Sequence, residues 1–174
     1  MEKPIVSILM GSDSDLVVMN EAVKVLKEFQ IFYEVLILSA HRVPEETAKF
    51  AKTAQKRGIK VIICGAGGAA HLAGVVAALF PLPVIGVPIK SSTLNGLDAL
   101  FSIVQMPPGV PVATVGINSA KNAALLAVQI LATGEKELQR KIEEYKNKLA
   151  KTVSEKNTKL QKIGINKYLK EVKK

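Results

Sequence analysis

A three-layer α/β/α domain on a central parallel sheet, followed by a long C-terminal helix, is what this sequence predicts. Three observations predict it. Short, mostly aliphatic runs recur at Ile5–Met10, Tyr33–Leu38, Lys60–Cys64, Pro83–Val87 and Val112–Val115. Stretches of helical spacing separate them. The runs are near-continuous in apolar residues, the pattern of strands covered on both faces by crossover helices.

The elements follow in order. Ile5–Met10 is the first strand, and Gly11–Asp15 (Gly-Ser-Asp-Ser-Asp) is a turn. A helix over roughly residues 16–29 sets Val18, Ala22, Val25, Leu26 and Phe29 on one side. After the second strand, Tyr33–Leu38, a helix begins at Pro44, whose fixed φ suits a first turn, and runs to about Arg57. Gly58 then stands in the position that commonly ends a helix. The third strand, Lys60–Cys64, leads through a glycine loop into a small-residue helix reaching about Leu79. Pro83–Val87 is the fourth strand. A helix near Gly96–Val104, a proline-rich turn at Met106–Pro111, a strand at Val112–Val115 and a helix over about 119–132 come next. Past Gly134 one long helix carries the chain onward. The order is Rossmann-like, of the flavodoxin-like kind. Residues 1–134 read as a single catalytic domain, and 135–174 as a helical extension packed on that domain or on a neighbouring subunit.

Composition narrows the function. A chain of 174 residues suits one domain with a substantial core. Met1–Pro4 leads directly into a strand-like run rather than a secretory leader, and the one cysteine, Cys64, lies in an apolar run. Both point to a reducing cytoplasm. Residues 61–89 carry no Asp, Glu, Lys or Arg, yet five glycines and three prolines would break a spanning helix, so no membrane is expected. A mean hydropathy of +0.23 suggests apolar surface hidden between subunits. Of the 24 Lys and Arg residues, 13 fall in 135–174 against 6 acids, so the net charge of +9 belongs mostly to the tail. Acids and bases there mix at helical spacing with only two aromatics, which favours a solvated helix over a nucleic-acid surface.

The chemistry-bearing residues gather where strands end, the place where parallel sheets bind ligands. In Gly11–Asp15, backbone amides and the Ser12 hydroxyl suit an anion, while Asp13 or Asp15 suits a ribose diol. Plain helix capping accounts for the same residues equally well. In Ser39–Arg42 (Ser-Ala-His-Arg), Arg42 can grip a phosphate with Ser39 alongside. His41, of the side-chain type that shuttles protons at neutral pH, stands next to it. The glycine run Gly65–Ala70 lets backbone amides approach a ligand and ends at His71. Only these two histidines occur, and the scattered acids show no metal-ligand spacing. The chain reads as a small enzyme without a metal or cofactor.

Five segments carry a resemblance: Gly11–Asp15, Ser39–Arg42, Gly65–Leu72, Pro83–Pro88 and Ser102–Thr114. Together, in unbroken order over about residues 4–132, they resemble the bacterial-type N5-carboxyaminoimidazole ribonucleotide mutase (PurE) family of purine biosynthesis. The resemblance implies transfer of a carboxylate from the exocyclic nitrogen of an aminoimidazole ribonucleotide to ring carbon C4. The transfer runs through decarboxylation and recarboxylation and uses no cofactor. It implies His41 as general acid and base, and Ser12, Asp15 and Arg42 as substrate-binding residues, with Ser39 beside the phosphate. Ala66, Gly67, His71 and Leu72 match the part of the pocket for the imidazole and carboxyl group. It also implies a cytoplasmic homo-octamer. Leu16 and Ala73 depart from the family's aromatic and proline, and neither is an assigned catalytic group. Three other readings remain: a carboxylase using free carbon dioxide, a non-catalytic nucleotide-binding module, and a nucleic-acid binder acting through the tail.

Overall fold

A computed structural model describes residues 3–172. Five strands form one parallel sheet: β1 (Val6–Met10), β2 (Tyr33–Ile37), β3 (Val61–Gly67), β4 (Val84–Ile89) and β5 (Ala113–Thr114). Their order, β2-β1-β3-β4-β5, is that of a flavodoxin-like sheet, with its switch point between β1 and β3. Every residue of β1 is buried, as a central strand covered on both faces requires. Leu9 sits opposite Leu36 on one side and Cys64 on the other.

The helices are α1 (Leu16–Glu28), α2 (Pro44–Ala54), α3 (Leu72–Ala77), α4 (Leu97–Val104), α5 (Ala120–Ala132), α6 (Lys136–Ile163) and α7 (Ile165–Val172). On one face of the sheet, Leu9, Ile62, Cys64 and Val84 pack with Ala51 and Ala54 of α2, Val76 of α3 and Ile103 of α4. α1 turns Met19, Ala22, Val25 and Leu26 inward, near the i, i+3, i+7 spacing of an amphipathic helix. α4 lies so close to the sheet that a Cβ on Gly86 would overlap Ile103 Cγ2 and press on Val112 Cγ1 at 3.1 Å. Burial holds the Cys64 thiol far above its ordinary range, so it packs as a small apolar residue.

Several boundaries differ from the expectation. The turn Asp13–Asp15 closes as a 3-10 turn, and α2 tightens into another at Gln55–Arg57 before left-handed Gly58. β3 runs past Cys64 to Gly67, because the glycine run pairs with β4 up to Gly67 opposite Ile89. β5 is only two residues long. The C-terminal helix breaks at Gly164, whose φ of 75° leaves helical space, and α7 folds back so that Lys159 pairs with Glu171.

The chain divides into two compact units between Leu131 and Ala132. The first holds the sheet, and the second holds α6 and α7. Among the described residues, no helix is long and apolar enough to cross a membrane.

Candidate active site

The loops leaving β1, β2, β3 and β4 surround one cleft of about 360 Å³, a size suited to a small ligand. At the β1 exit, Ser12 Oγ accepts from the Ser14 amide at 3.3 Å and so caps the 3-10 turn. Its hydroxyl also donates to Asp13 at 3.2 Å. Asp15 stands at the N-cap of α1 yet makes no side-chain cap bond. Its carboxylate accepts from Ser14 Oγ at 3.2 Å and lines the cleft. The cap uses the Ser12 oxygen only as an acceptor, and Asp15, which does not cap, is left available to a ligand. Burial raises the Asp15 pKa, with the neighbouring Asp13 charge adding to the rise and the Ser14 bond opposing it. A partly desolvated carboxylate of this kind gains from hydroxyl donors. Asp13 is not among the residues lining the cleft.

At the β2 exit, Ser39 Oγ accepts from the Arg42 amide at 3.3 Å, and the Ser39 carbonyl accepts from Val43 at 2.9 Å. This tight turn precedes Pro44 at the start of α2. It swings the Arg42 guanidinium over the β1 exit, where Nη1 comes within 3.5 Å of the Gly11 carbonyl. At the β3 exit, Gly67 is closely packed, since a Cβ would press on the Ile89 carbonyl at 3.3 Å. Gly68 follows with a left-handed φ of 62°, a conformation open to glycine at no steric cost. That bend carries Ala69 and Ala70 to His71, the residue that opens α3.

The two histidines meet. His41 Nε2 and His71 Nδ1 lie 2.9 Å apart, with the rings edge to face at 84°. β1 lies between β2 and β3, so the pair closes over the β1 end at the switch point. A hydrogen bond at this distance holds one proton between the rings, and the ring that carries it donates. Such a pair can deliver a proton to a ligand and draw it back.

Of the residues expected at the site, Ser12, Asp15, Ser39, His41, Arg42, Ala66, Gly67, His71 and Leu72 all line the cleft. Leu72 does so from the core, being almost fully buried. The β4 exit was missed: Ile89, Lys90 and Ser91 form the remaining wall. The same rule of strand ends would have found them, because Lys90-Ser91 directly follows an apolar strand. Among the described residues, no group of three His, Cys, Asp or Glu is placed to hold a metal ion.

Fold and cleft define an α/β protein whose ligand site sits at the carboxyl ends of parallel strands. Residues 5–152 match the family model described as AIR carboxylase. A Thermotoga maritima protein named N5-carboxyaminoimidazole ribonucleotide mutase is 60% identical over 166 residues, covering 95% of this chain and 97% of its own. A Candida glabrata protein named phosphoribosylaminoimidazole carboxylase is 57% identical over 96% of this chain, which spans only 29% of that longer protein. The crystal structure of Treponema denticola PurE superposes with a TM-score of 0.84 at 33% identity, covering 91% of this chain and 99% of that one. The chain belongs to the AIR carboxylase family.

Proposed function

We propose that this chain is a mutase that converts N5-carboxyaminoimidazole ribonucleotide to 4-carboxy-5-aminoimidazole ribonucleotide in purine biosynthesis, in the cytoplasm. The observation that carries the reading is the His41–His71 contact in a cleft lined by Arg42, Asp15 and a glycine loop. It occurs in a chain 60% identical to a protein named for that reaction. Arg42 and the Ser12 and Ser39 hydroxyls suit the phosphate, and Asp15 suits the ribose hydroxyls.

His41 gives a proton to the exocyclic nitrogen as the carbamate C–N bond breaks, which frees carbon dioxide and leaves the amine. Ring carbon C4, made electron-rich by that amine, then attacks the trapped carbon dioxide. The C4 proton returns to His41. One proton is delivered and one recovered, so the site is reset without any co-reactant. His71 holds the His41 ring through the shared hydrogen bond.

The Candida relative's name supports a second reading, direct carboxylation of aminoimidazole ribonucleotide by carbon dioxide. Supplying the protein with each ribonucleotide at low bicarbonate separates the two. Fast conversion of the carbamate alone supports the mutase, and conversion only of the amine with added bicarbonate defeats it.

We also infer a closed homo-oligomer, of which an octamer is the form the family resemblance implies. The supporting observation is α4, where Leu97, Phe101 and Val104 recur at i, i+4 and i+7 and remain exposed, Phe101 by 58%. Such a stripe is normally covered. Sedimentation of Phe101→Glu against the parent protein tests it: dissociation of a large assembly is expected, and a parent protein that is an active monomer refutes it.

A further inference from the structure

Lys90 is the one lysine in the wall of the cleft, and its placement is controlled. Its amide donates to Asn118 Oδ1 at 2.9 Å, while the Asn118 amide donates to the Pro88 carbonyl at 2.8 Å. Asn118 thus clamps the end of β4 from both sides, in a left-handed conformation with φ of 56°. Behind it, Gly96 packs so closely that a Cβ there would lie 3.2 Å from Lys90 Cα. The backbone is fixed, yet the side chain is exposed. Among the described residues its ammonium has no hydrogen bond or ion pair.

Position in the sheet says what this charge faces. Arg42 leaves β2 but its guanidinium lies over the β1 exit, and Lys90 leaves β4, two strand spacings from β1 in the order β2-β1-β3-β4, or about 10 Å. The cleft therefore has one cation over the β1 exit and a second at the β4 exit, and the histidine pair lines the same cleft. The Arg42 end has the Ser12 and Ser39 hydroxyls, the donors a phosphate needs. The Lys90 end has the Gly67–Gly68 bend and the loop bearing His71, because Ile89 pairs with Gly67. A ribonucleotide with a carboxylated ring has the matching shape, with phosphate at one end and carboxylate at the other.

We propose that Lys90 is a specificity residue that holds the carboxylate end of the substrate, opposite Arg42 on the phosphate. The assignment rests on the mutase reading of the same cleft. It makes Lys90 the group that distinguishes a carboxylated ring from a bare one. A lysine suits this task because its compact ammonium on a flexible stem can follow the carboxylate from nitrogen to carbon.

The test measures equilibrium binding of two ribonucleotides in a His41→Asn background, so that nothing turns over. The ligands, 4-carboxy-5-aminoimidazole ribonucleotide and 5-aminoimidazole ribonucleotide, differ only in the carboxylate. Lys90→Met should weaken the carboxylated ligand about 10- to 100-fold and leave the other within about twofold. Lys90→Arg should restore most of the loss, since it keeps the charge. Equal weakening of both ligands, or of neither, would overturn the assignment while leaving the mutase reading intact. If the background protein binds neither ribonucleotide, the mutase reading falls and this assignment with it.

Discussion

Replacing His41 with asparagine separates chemistry from architecture. Asparagine keeps a polar group of moderate size, but it is shorter and does not take up a proton. The contact that Nε2 makes with His71 at 2.9 Å is lost, and so is the group proposed to exchange protons with the substrate. General acid–base help is worth about 10²–10⁴ in rate, which is about 2.7–5.5 kcal/mol of barrier. Folding should barely notice. His41 is exposed in a loop after β2, and substitutions at such positions usually stay within about 0.5 kcal/mol. For a chain of this size that keeps Tm within about 2 °C. The assay follows the ultraviolet absorbance change as the carboxylate reaches the ring, alongside a thermal melt. His71→Asn provides the companion measurement, with a smaller loss because His41 itself remains. A His41→Asn protein with more than about half of normal activity would refute the proton-shuttle assignment. So would a large drop in Tm accompanying the loss, which would make His41 a structural residue.

Other sites make separable predictions. Arg42→Ala should raise KM about 10- to 100-fold through a lost charge-assisted contact, with the change in kcat much smaller, as steady-state kinetics will show. Gly86→Ala should cost about 2–3 kcal/mol in urea unfolding, because the new Cβ overlaps Ile103 Cγ2, a group fixed directly to its own Cβ. Glu34→Gln tests linkage at the sheet edge. Burial alone would raise the Glu34 pKa, but two Arg57 hydrogen bonds and one from buried Ser7 outweigh it and lower the value. A carboxylate lowered on folding adds stability above its unfolded pKa and loses it as pH falls through the folded one. The variant should therefore be about 1 kcal/mol less stable at pH 7, with the deficit closing below about pH 4. A deficit independent of pH would refute the linkage.

Much of the architecture is visible in the chain because its strands are apolar runs and its helices have one-sided spacing. Ile8, Leu9, Ile62, Ile63 and Ile85 all fall inside expected strands and are fully buried. What escaped depends on partners distant in sequence. Gly65–Gly67 has too little side chain to read as a strand, and it becomes one because β4 pairs with it. Gly164 sits inside a helical pattern, where glycine is tolerated at a cost of about 1 kcal/mol. Local sequence therefore does not distinguish a passing glycine from a break. At the site, both histidines were visible as strand-end residues, but their contact was not, since it forms across β1 between two separate loops. Lys90 was legible by the same strand-end rule, but it was passed over because the fourth strand was ended at Val87 rather than at Ile89.

A mutase of this kind moves the carboxylate from nitrogen to carbon within one cleft. The most direct measurement uses N5-carboxyaminoimidazole ribonucleotide labelled with carbon-13 in the carbamate, turned over in buffer containing unlabelled bicarbonate. Mass analysis of the product then reports the source of its carboxyl carbon. Most of the label should be retained in the 4-carboxy product, and the rate should not depend on bicarbonate. Product carrying the unlabelled carbon of the medium, formed at a rate that rises with bicarbonate, would contradict the mutase reading.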